Sequence, residues 1–157
     1  MSQDKKNRDK VPTVLVVDDN QQNLELIQAY LEDVECVTEA AHDGIEALDA
    51  VARSKPDLIL LDVMMPKMSG FEVCRRLKSN PDTADIPVIM VTALNEFGDI
   101  ERGLDSGTDD FVSKPINRLE LLTRIRTMIK LKHLTDRLQR TVAYLGEIEK
   151  NAPSDDR

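Results

Sequence analysis

Five short apolar runs alternate strictly with stretches of helical periodicity, and that alternation leaves few architectures open. Thr13–Val17 (TVLVV), Cys36–Ala40 (CVTEA), Asp57–Leu61 (DLILL), Val88–Val91 (VIMV) and Asp110–Val112 read as strands, rich in β-branched or apolar residues. Three of them are nearly continuous apolar runs, the pattern of strands covered on both faces in a parallel sheet. Between them, Asn20–Asp33 places Leu24, Ile27, Leu31 and Val34 on one side of a helix. Asp43–Arg53 opens with Asp43-x-x-Glu46 and Ser69–Ser79 with Ser69-x-x-Glu72. The second is a capping box, in which the Ser69 oxygen takes an N–H three residues on and the Glu72 side chain reaches back. The next helix, starting near Asn95, carries Gly98 and Gly103. Each costs about 1 kcal/mol against alanine, so this element is expected to be the most pliable. Five βα units in this order give an α/β domain with a parallel sheet.

Composition closes off other classes. The 157 residues fit one domain with a short appendage, and 41% apolar with 32% charged residues is enough for a real core. A net charge of −8 argues against direct nucleic-acid binding. The charge is uneven: Val11–Ile116 holds 8 Lys/Arg against 21 Asp/Glu, whereas Asn117–Lys150 holds 8 against 4. The plain reading of the basic segment is a solvated helix face that partly offsets an acidic body. Cys36 and Cys74 match no zinc or disulfide spacing. No apolar run approaches the roughly 20 residues of a membrane helix, and Met1–Lys10 lacks a signal peptide's apolar stretch. The chain therefore reads as cytoplasmic, with no membrane partner.

The chemistry gathers at strand ends. Strand one leads into Asp18-Asp19, strand three ends in Asp62, strand four in Thr92, and strand five leads to Lys114-Pro115. In a parallel α/β sheet the carboxyl ends of the strands share one edge, where ligands bind. Three carboxylates in one cleft repel unless a cation joins them, and a hard, all-oxygen set suits Mg²⁺. Lys114 adds a point charge and Thr92 a hydroxyl, both suited to a phosphoryl group. An aspartate in such company can itself be the nucleophile. Helix caps alone account for Asp18 or Asp19 but not for Asp62, Thr92 and Lys114 together. A phosphohydrolase with an aspartate nucleophile wants a second acid two residues on, and Asp62-Val63-Met64 has none. A dinucleotide enzyme wants a glycine-rich turn after strand one, which Val17-Asp18-Asp19-Asn20 lacks.

VVDDN (Val16–Asn20), LLDVMMPKMSG (Leu60–Gly70), VTA (Val91–Ala93) and FVSKP (Phe111–Pro115) resemble the receiver domain of two-component response regulators. Together with VCRRLK, IPVIMVTAL and GLDSGTDDFVSKPI they are most similar to receivers of the diguanylate cyclase type. The resemblance implies a flavodoxin-like three-layer α/β/α fold with strand order 2-1-3-4-5. It implies that Asp62 is the phosphoacceptor and that Asp19 binds Mg²⁺ directly. Asp18 would support the ion and the Met64 carbonyl would supply a further ligand. Thr92 and Lys114 would contact the phosphoryl oxygens, Phe111 would be the aromatic switch residue, and the Lys114–Pro115 peptide would be cis. The donor would be a histidine kinase or a histidine phosphotransfer protein. The resemblance implies a phosphorylation-controlled switch, with self-catalysed phosphotransfer and dephosphorylation only, acting on a downstream effector or on an output domain absent from this sequence. Lys67 and Ser69 stand where glycine and aspartate are frequent in the family. The alternatives are an unphosphorylated interaction scaffold on the same fold and the front part of a larger regulator.

His42 and His133 have no partner at ligand spacing and read as surface histidines, Met64 and Met65 as local packing, and Asp109-Asp110 as a turn before the last strand. The fifth helix begins at Asn117 and meets no Gly or Pro before Gly146, about 30 residues against a usual 8–20. Leu121, Leu122, Ile125 and Ile129 are expected to face the sheet. Beyond them Leu131, Leu134, Leu138, Thr141, Leu145 and Ile148 alternate spacings of three and four, a heptad seam with one polar member. A coiled-coil homodimer driven by phosphorylation, a solvated linker, or a helix folded back on its own domain all fit that seam. The expected organisation is a disordered arm over 1–11, a receiver over 12–130, a helical extension over 131–150 and a disordered tail over 151–157.

Overall fold

The computed structural model describes residues 11–93 and 97–151, the side chains of 97–100 excepted. In chain order the elements are β1 (Thr13–Val17), α1 (Gln21–Leu31), β2 (Val37–Ala41), α2 (Gly44–Arg53), β3 (Leu58–Asp62), α3 (Gly70–Ser79), β4 (Val88–Thr92), α4 (Phe97–Ser106), β5 (Asp110–Ser113) and α5 (Arg118–Asn151). All strand pairs are parallel and the sheet runs β2-β1-β3-β4-β5. The expected α/β fold and strand order are therefore found. Strand bounds agree with the sequence reading to within one residue.

Alternation along the strands builds two cores. Leu15, Val17, Ile59, Leu61, Val88 and Met90 point to one face, against Ala47 and Val51 of α2 and Phe71, Cys74 and Leu77 of α3. Val14, Val16, Leu58, Leu60, Ile89 and Val91 point to the other, against Leu24, Ile27 and Leu31 of α1 and Leu121, Leu122 and Ile125 of α5. A period of two on strands buried on both sides sends successive residues to opposite cores. Ile129 packs partly on the second core, as expected.

Polar side chains set the helix starts. Asn20 Oδ1 accepts from the N–H groups of Gln22 and Asn23, Asp43 Oδ1 from Glu46, and Asn117 Oδ1 from Glu120. Ser69 Oγ accepts from the Glu72 N–H at 3.3 Å. The other half of the expected capping box is not formed: the Glu72 carboxylate turns outward and pairs with Arg75 and Arg76 at 3.1 Å. Two neighbouring guanidinium groups outcompete a single backbone N–H for that side chain.

Helix α5 has 34 residues, about 51 Å at 1.5 Å per residue, and it passes through Gly146 without a break. Only Leu121, Leu122 and Ile125 are buried on it. The arm expected over 1–11 lies outside the described residues apart from Val11, and so does the tail beyond Asn151, which is itself the last residue of α5. Asn95, the expected start of α4, also lies outside them. No helix among the described residues is long and apolar enough to cross a membrane.

Candidate functional site

At the carboxyl edge of the sheet, β1 and β3 are adjacent, with Val17 opposite Leu61, and β3 and β4 pair Asp62 with Val91. The residues that end these strands are thereby brought side by side. Asp18 is 1% exposed. Its N–H continues the β1–β2 ladder to the Ala41 carbonyl at 3.1 Å, and its Oδ1 accepts from the Asn20 N–H at 2.9 Å. Asp62, the last residue of the central strand, is 4% exposed, and Asp19 beside them faces solvent. One carboxylate oxygen of each of the three lies within 4.8 Å of the others.

Lys114 is the cation facing this cluster. Its Nζ is 3.3 Å from Asp62 Oδ1 and 3.6 Å from Asp18 Oδ2. The lysine's N–H donates to the Thr92 carbonyl at 2.8 Å, and its peptide bond to Pro115 is cis. Thr92 ends β4, 5% exposed, opposite Ser113. Burial pushes the Asp62 carboxyl above its ordinary range and the Asp18 charge adds to this, while Lys114 and the Met64 N–H pull it down and do not prevail.

The donor set fits a divalent cation. Asp18 Oδ2 is buried with no hydrogen-bond partner, and the nearest ammonium sits at 3.6 Å. A buried polar atom in that state is costly unless something joins it. With an oxygen of each within 4.8 Å of the other, the buried Asp18 and Asp62 carboxylates repel by at least about 3 kcal/mol at an effective dielectric of 20, and one lysine shared between them leaves net negative charge. Three carboxylates within one ion's reach make an all-oxygen set of the kind Mg²⁺ takes.

Other expected residues fall as follows. Met64 is tied to the site through its N–H on the Asp62 carboxylate, but its side chain is 64% exposed, which corrects its reading as a packing residue. A residue on the solvent side of a turn has no core to enter; Met65, next to it, is buried. Phe111 is half-buried on the first core, and its ring lies on Gly103 of α4 so closely that a Cβ there would fall 2.2 Å from Cζ. Gly103, read from sequence only as a softener of its helix, thus makes room for an aromatic ring. His42 lies on the surface, bonded to Glu46 and Gln21. Asp109 does precede β5, and it also ties that turn to β4 and α3, because its Oδ2 accepts from the Val88 N–H at 2.7 Å and from Lys78 Nζ at 2.9 Å.

Gly70 escaped the sequence reading, and Lys67 enters it without its physical reason. Gly70 opens α3 against the end of β3: its N–H donates to the Val63 carbonyl at 3.0 Å, and a Cβ would stand 2.3 Å from the Asp62 carbonyl oxygen. Lys67 holds a left-handed φ of +69°, alone among described non-glycine residues, which is the physical reason a glycine suits this place.

A doubly wound parallel sheet with an acidic, lysine-facing pocket at its carboxyl edge defines a receiver-type α/β signalling domain. The response regulator receiver domain family matches residues 14–126, and the chain belongs to that family. It is 46% identical over 130 residues to the response regulator PleD of Caulobacter vibrioides, covering 83% of this chain and 29% of that protein. Against the DNA-binding dual master transcriptional regulator RpaA of Synechocystis it is 38% identical over 143 residues, 91% of this chain and 58% of the relative. The chain thus spans less than two thirds of the length of these curated relatives. The receiver domain of the sensor histidine kinase PA1611 from Pseudomonas aeruginosa superposes with a TM-score of 0.71 at 30% identity, covering 77% of this chain and 99% of that one. That structure holds a magnesium ion coordinated in its active site cleft.

Proposed function

We propose that this chain is a phosphorylation-controlled switch of a two-component system in which Asp62 accepts the phosphoryl group. The observation that carries the reading is the burial of Asp62 and Asp18 together, opposite one lysine and with an Asp18 oxygen that has no hydrogen-bond partner. Asp18, Asp19 and Asp62, with the Met64 carbonyl, would hold Mg²⁺, which when bound neutralises phosphoryl oxygens and the carboxylates around them. The donor is a phosphohistidine on a histidine kinase or a histidine phosphotransfer protein. An Asp62 oxygen attacks phosphorus in line, the new P–O bond forms as the P–N bond breaks, and the imidazole nitrogen leaves with the electron pair and takes a proton. Lys114 and Thr92 steady the transferred oxygens, so the protein's work is positioning and charge neutralisation. Water later attacks phosphorus of the acyl phosphate, the Asp62 carboxylate leaves, and inorganic phosphate is released. Thr92 and Phe111 pass the change to α4, β5 and α5 by shifting an existing equilibrium. The readout is a downstream effector or an output domain. Residues 12–130 form the receiver unit and the helix beyond them an extension.

The test is intact-mass measurement after incubation with acetyl phosphate. Wild type is expected to gain one phosphoryl group with Mg²⁺ and none with chelator, and Asp62→Asn none in either case. Wild type that stays unmodified while still engaging its partners would overturn the reading in favour of an unphosphorylated scaffold.

A further inference from the structure

A cavity of about 710 Å³ opens at the amino-terminal edge of the sheet, where α5 leaves the domain. Strands of five residues, about 16 Å, separate it from the carboxylates at the opposite edge. One wall is the turn between α1 and β2, Asp33 to Glu35, and the other is α5. Arg126 ties the two walls together, donating to the Asp33 carbonyl at 3.3 Å. Val34 and Ile129, both packed on the rim of the second core, give the cavity an apolar floor, and Pro12 borders it. That volume falls within the range of small-molecule sites, about 300–1,000 Å³.

The charge on this cavity is lopsided. Arg126, Lys130 and His133 follow one another at spacings of four and three, which places them on one face of α5. All three are exposed, and neither Lys130 nor His133 has a hydrogen-bond or ion-pair partner among the described residues. Of the cavity's two carboxylates, Asp33 is paired with Arg118, so Glu35 alone answers two cations and an imidazole. The result is a positive spot on a body that is strongly acidic between Val11 and Ile116. A long polyanion laid across that body is repelled by it, whereas a small anion meets mainly the local charge.

We propose that this cavity binds a nucleotide carrying two or three phosphoryl groups. The span from Arg126 to His133 is about 10 Å along the helix, longer than one phosphoryl group and suited to a linked pair. Guanidinium grips phosphate oxygens in a bidentate fork and ammonium as a point charge, and the imidazole adds an N–H donor. Val34, Ile129 and Pro12 offer an aliphatic surface to the face of a base. The Glu35 carboxylate offers an acceptor to ribose hydroxyls or an exocyclic amine. Each kind of lining group thereby finds its counterpart, which neither inorganic phosphate nor a nucleoside supplies alone. Because the ligand touches the α1–β2 turn and α5 together, it bridges the domain to the base of the helical extension.

The experiment is calorimetric titration of the full chain with ADP at low ionic strength, in chelator so that no metal ion carries phosphate to the carboxylates. Wild type is expected to bind one ADP, and adenosine and pyrophosphate each about tenfold more weakly or worse. Amide chemical shifts are expected to move at Val34, Glu35 and Lys130 and not at Asp18 or Asp62. Lys130→Glu, at an exposed position with no partner, is expected to weaken ADP about tenfold or more with an unchanged circular dichroism spectrum. Arg75→Glu makes the same change of charge on the surface of α3 and is expected to bind as wild type does. Glu35→Gln is expected to narrow the preference for ADP over pyrophosphate. A wild type that takes no ADP at millimolar concentration overturns the proposal, as do shifts confined to the carboxyl edge. Pyrophosphate bound as tightly as ADP reduces the cavity to an inorganic anion site and overturns it too, and so do Lys130→Glu and Arg75→Glu variants weakened alike.

Discussion

Gly70→Ala tests whether the start of α3 is held against β3, the strand that ends in Asp62, by the lack of a side chain. The added Cβ would stand 2.3 Å from the Asp62 carbonyl oxygen and 2.9 Å from Val63 Cα, where ordinary contact begins at 3.4 Å, so the two segments must part by about 1 Å. Both obstacles are backbone, so no side chain can rotate away, and Asp62 is paired with Val91 in the middle of the sheet. Overpacking of this kind costs about 1–3 kcal/mol, and alanine's advantage in a helix returns about 0.5–1 kcal/mol. A net loss of about 1–2 kcal/mol lowers the melting temperature by about 2–8 °C for a chain of this size. The displaced atoms carry Asp62, the proposed nucleophile, and a 1 Å error in placement costs about 10²-fold in rate. Thermal denaturation and the rate of phosphorylation by acetyl phosphate read the two effects. Gly146→Ala is the matched control: nothing lies within 4 Å of its Cβ, so the same substitution is expected to stabilise by about 0.5–1 kcal/mol. A Gly70→Ala protein that melts no lower than wild type and is phosphorylated at the same rate would refute the reasoning.

Four further outcomes are expected. Because burial and Asp18 hold the Asp62 carboxyl above its ordinary range, the folded state binds that proton more tightly than the unfolded chain. Stability is then lost as pH rises from the ordinary carboxylate range through the folded value. In chelator Asp62→Asn should resist urea better than wild type at pH 7 and equally at pH 3, and a gap that is the same at both would contradict this. Lys67→Gly relieves a left-handed φ of +69° and should stabilise by a few tenths to about 1 kcal/mol; a lower urea midpoint would count against it. Lys78 donates to the Ala84 and Ile86 carbonyls and to Asp109, so Lys78→Ala should cost about 1.5–3 kcal/mol in urea unfolding, and an unchanged midpoint would deny that brace. Gly103→Ala drives a methyl into the Phe111 ring and should cost about 1–3 kcal/mol, partly recovered by Phe111→Leu; no loss, or no recovery, would mean the ring moves freely.

The fold was legible because strands buried on both faces write themselves as apolar runs, and the helix starts at Asp43 and Ser69 carry their caps in the sequence. The edge where Asp18, Asp19, Asp62, Thr92 and Lys114 meet followed from topology alone, since each sits at or just beyond a strand's carboxyl end. What escaped were demands set by three-dimensional neighbours. Gly70 has its reason in the Asp62 carbonyl, eight residues earlier, and Gly103 in the Phe111 ring of the next element. Glu72 had the spacing to cap but went to Arg75 and Arg76, because competition among side chains is not encoded in the motif. Lys78 belongs to no motif that marks it, yet its ammonium joins the loop before β4 to the residue before β5. The seam of α5 was visible as periodicity, but only the fold shows that it points away from the chain's own domain.

The central claim is that a phosphoryl group is carried by Asp62. An acyl phosphate on an aspartate is reduced by borohydride to homoserine, which marks the residue permanently. Wild type phosphorylated with acetyl phosphate and Mg²⁺, then trapped and digested, is expected to show the conversion at position 62 and at no other aspartate, Asp18 and Asp19 included. Conversion at a different residue, or none in protein whose intact mass shows the added phosphoryl group, would contradict the account.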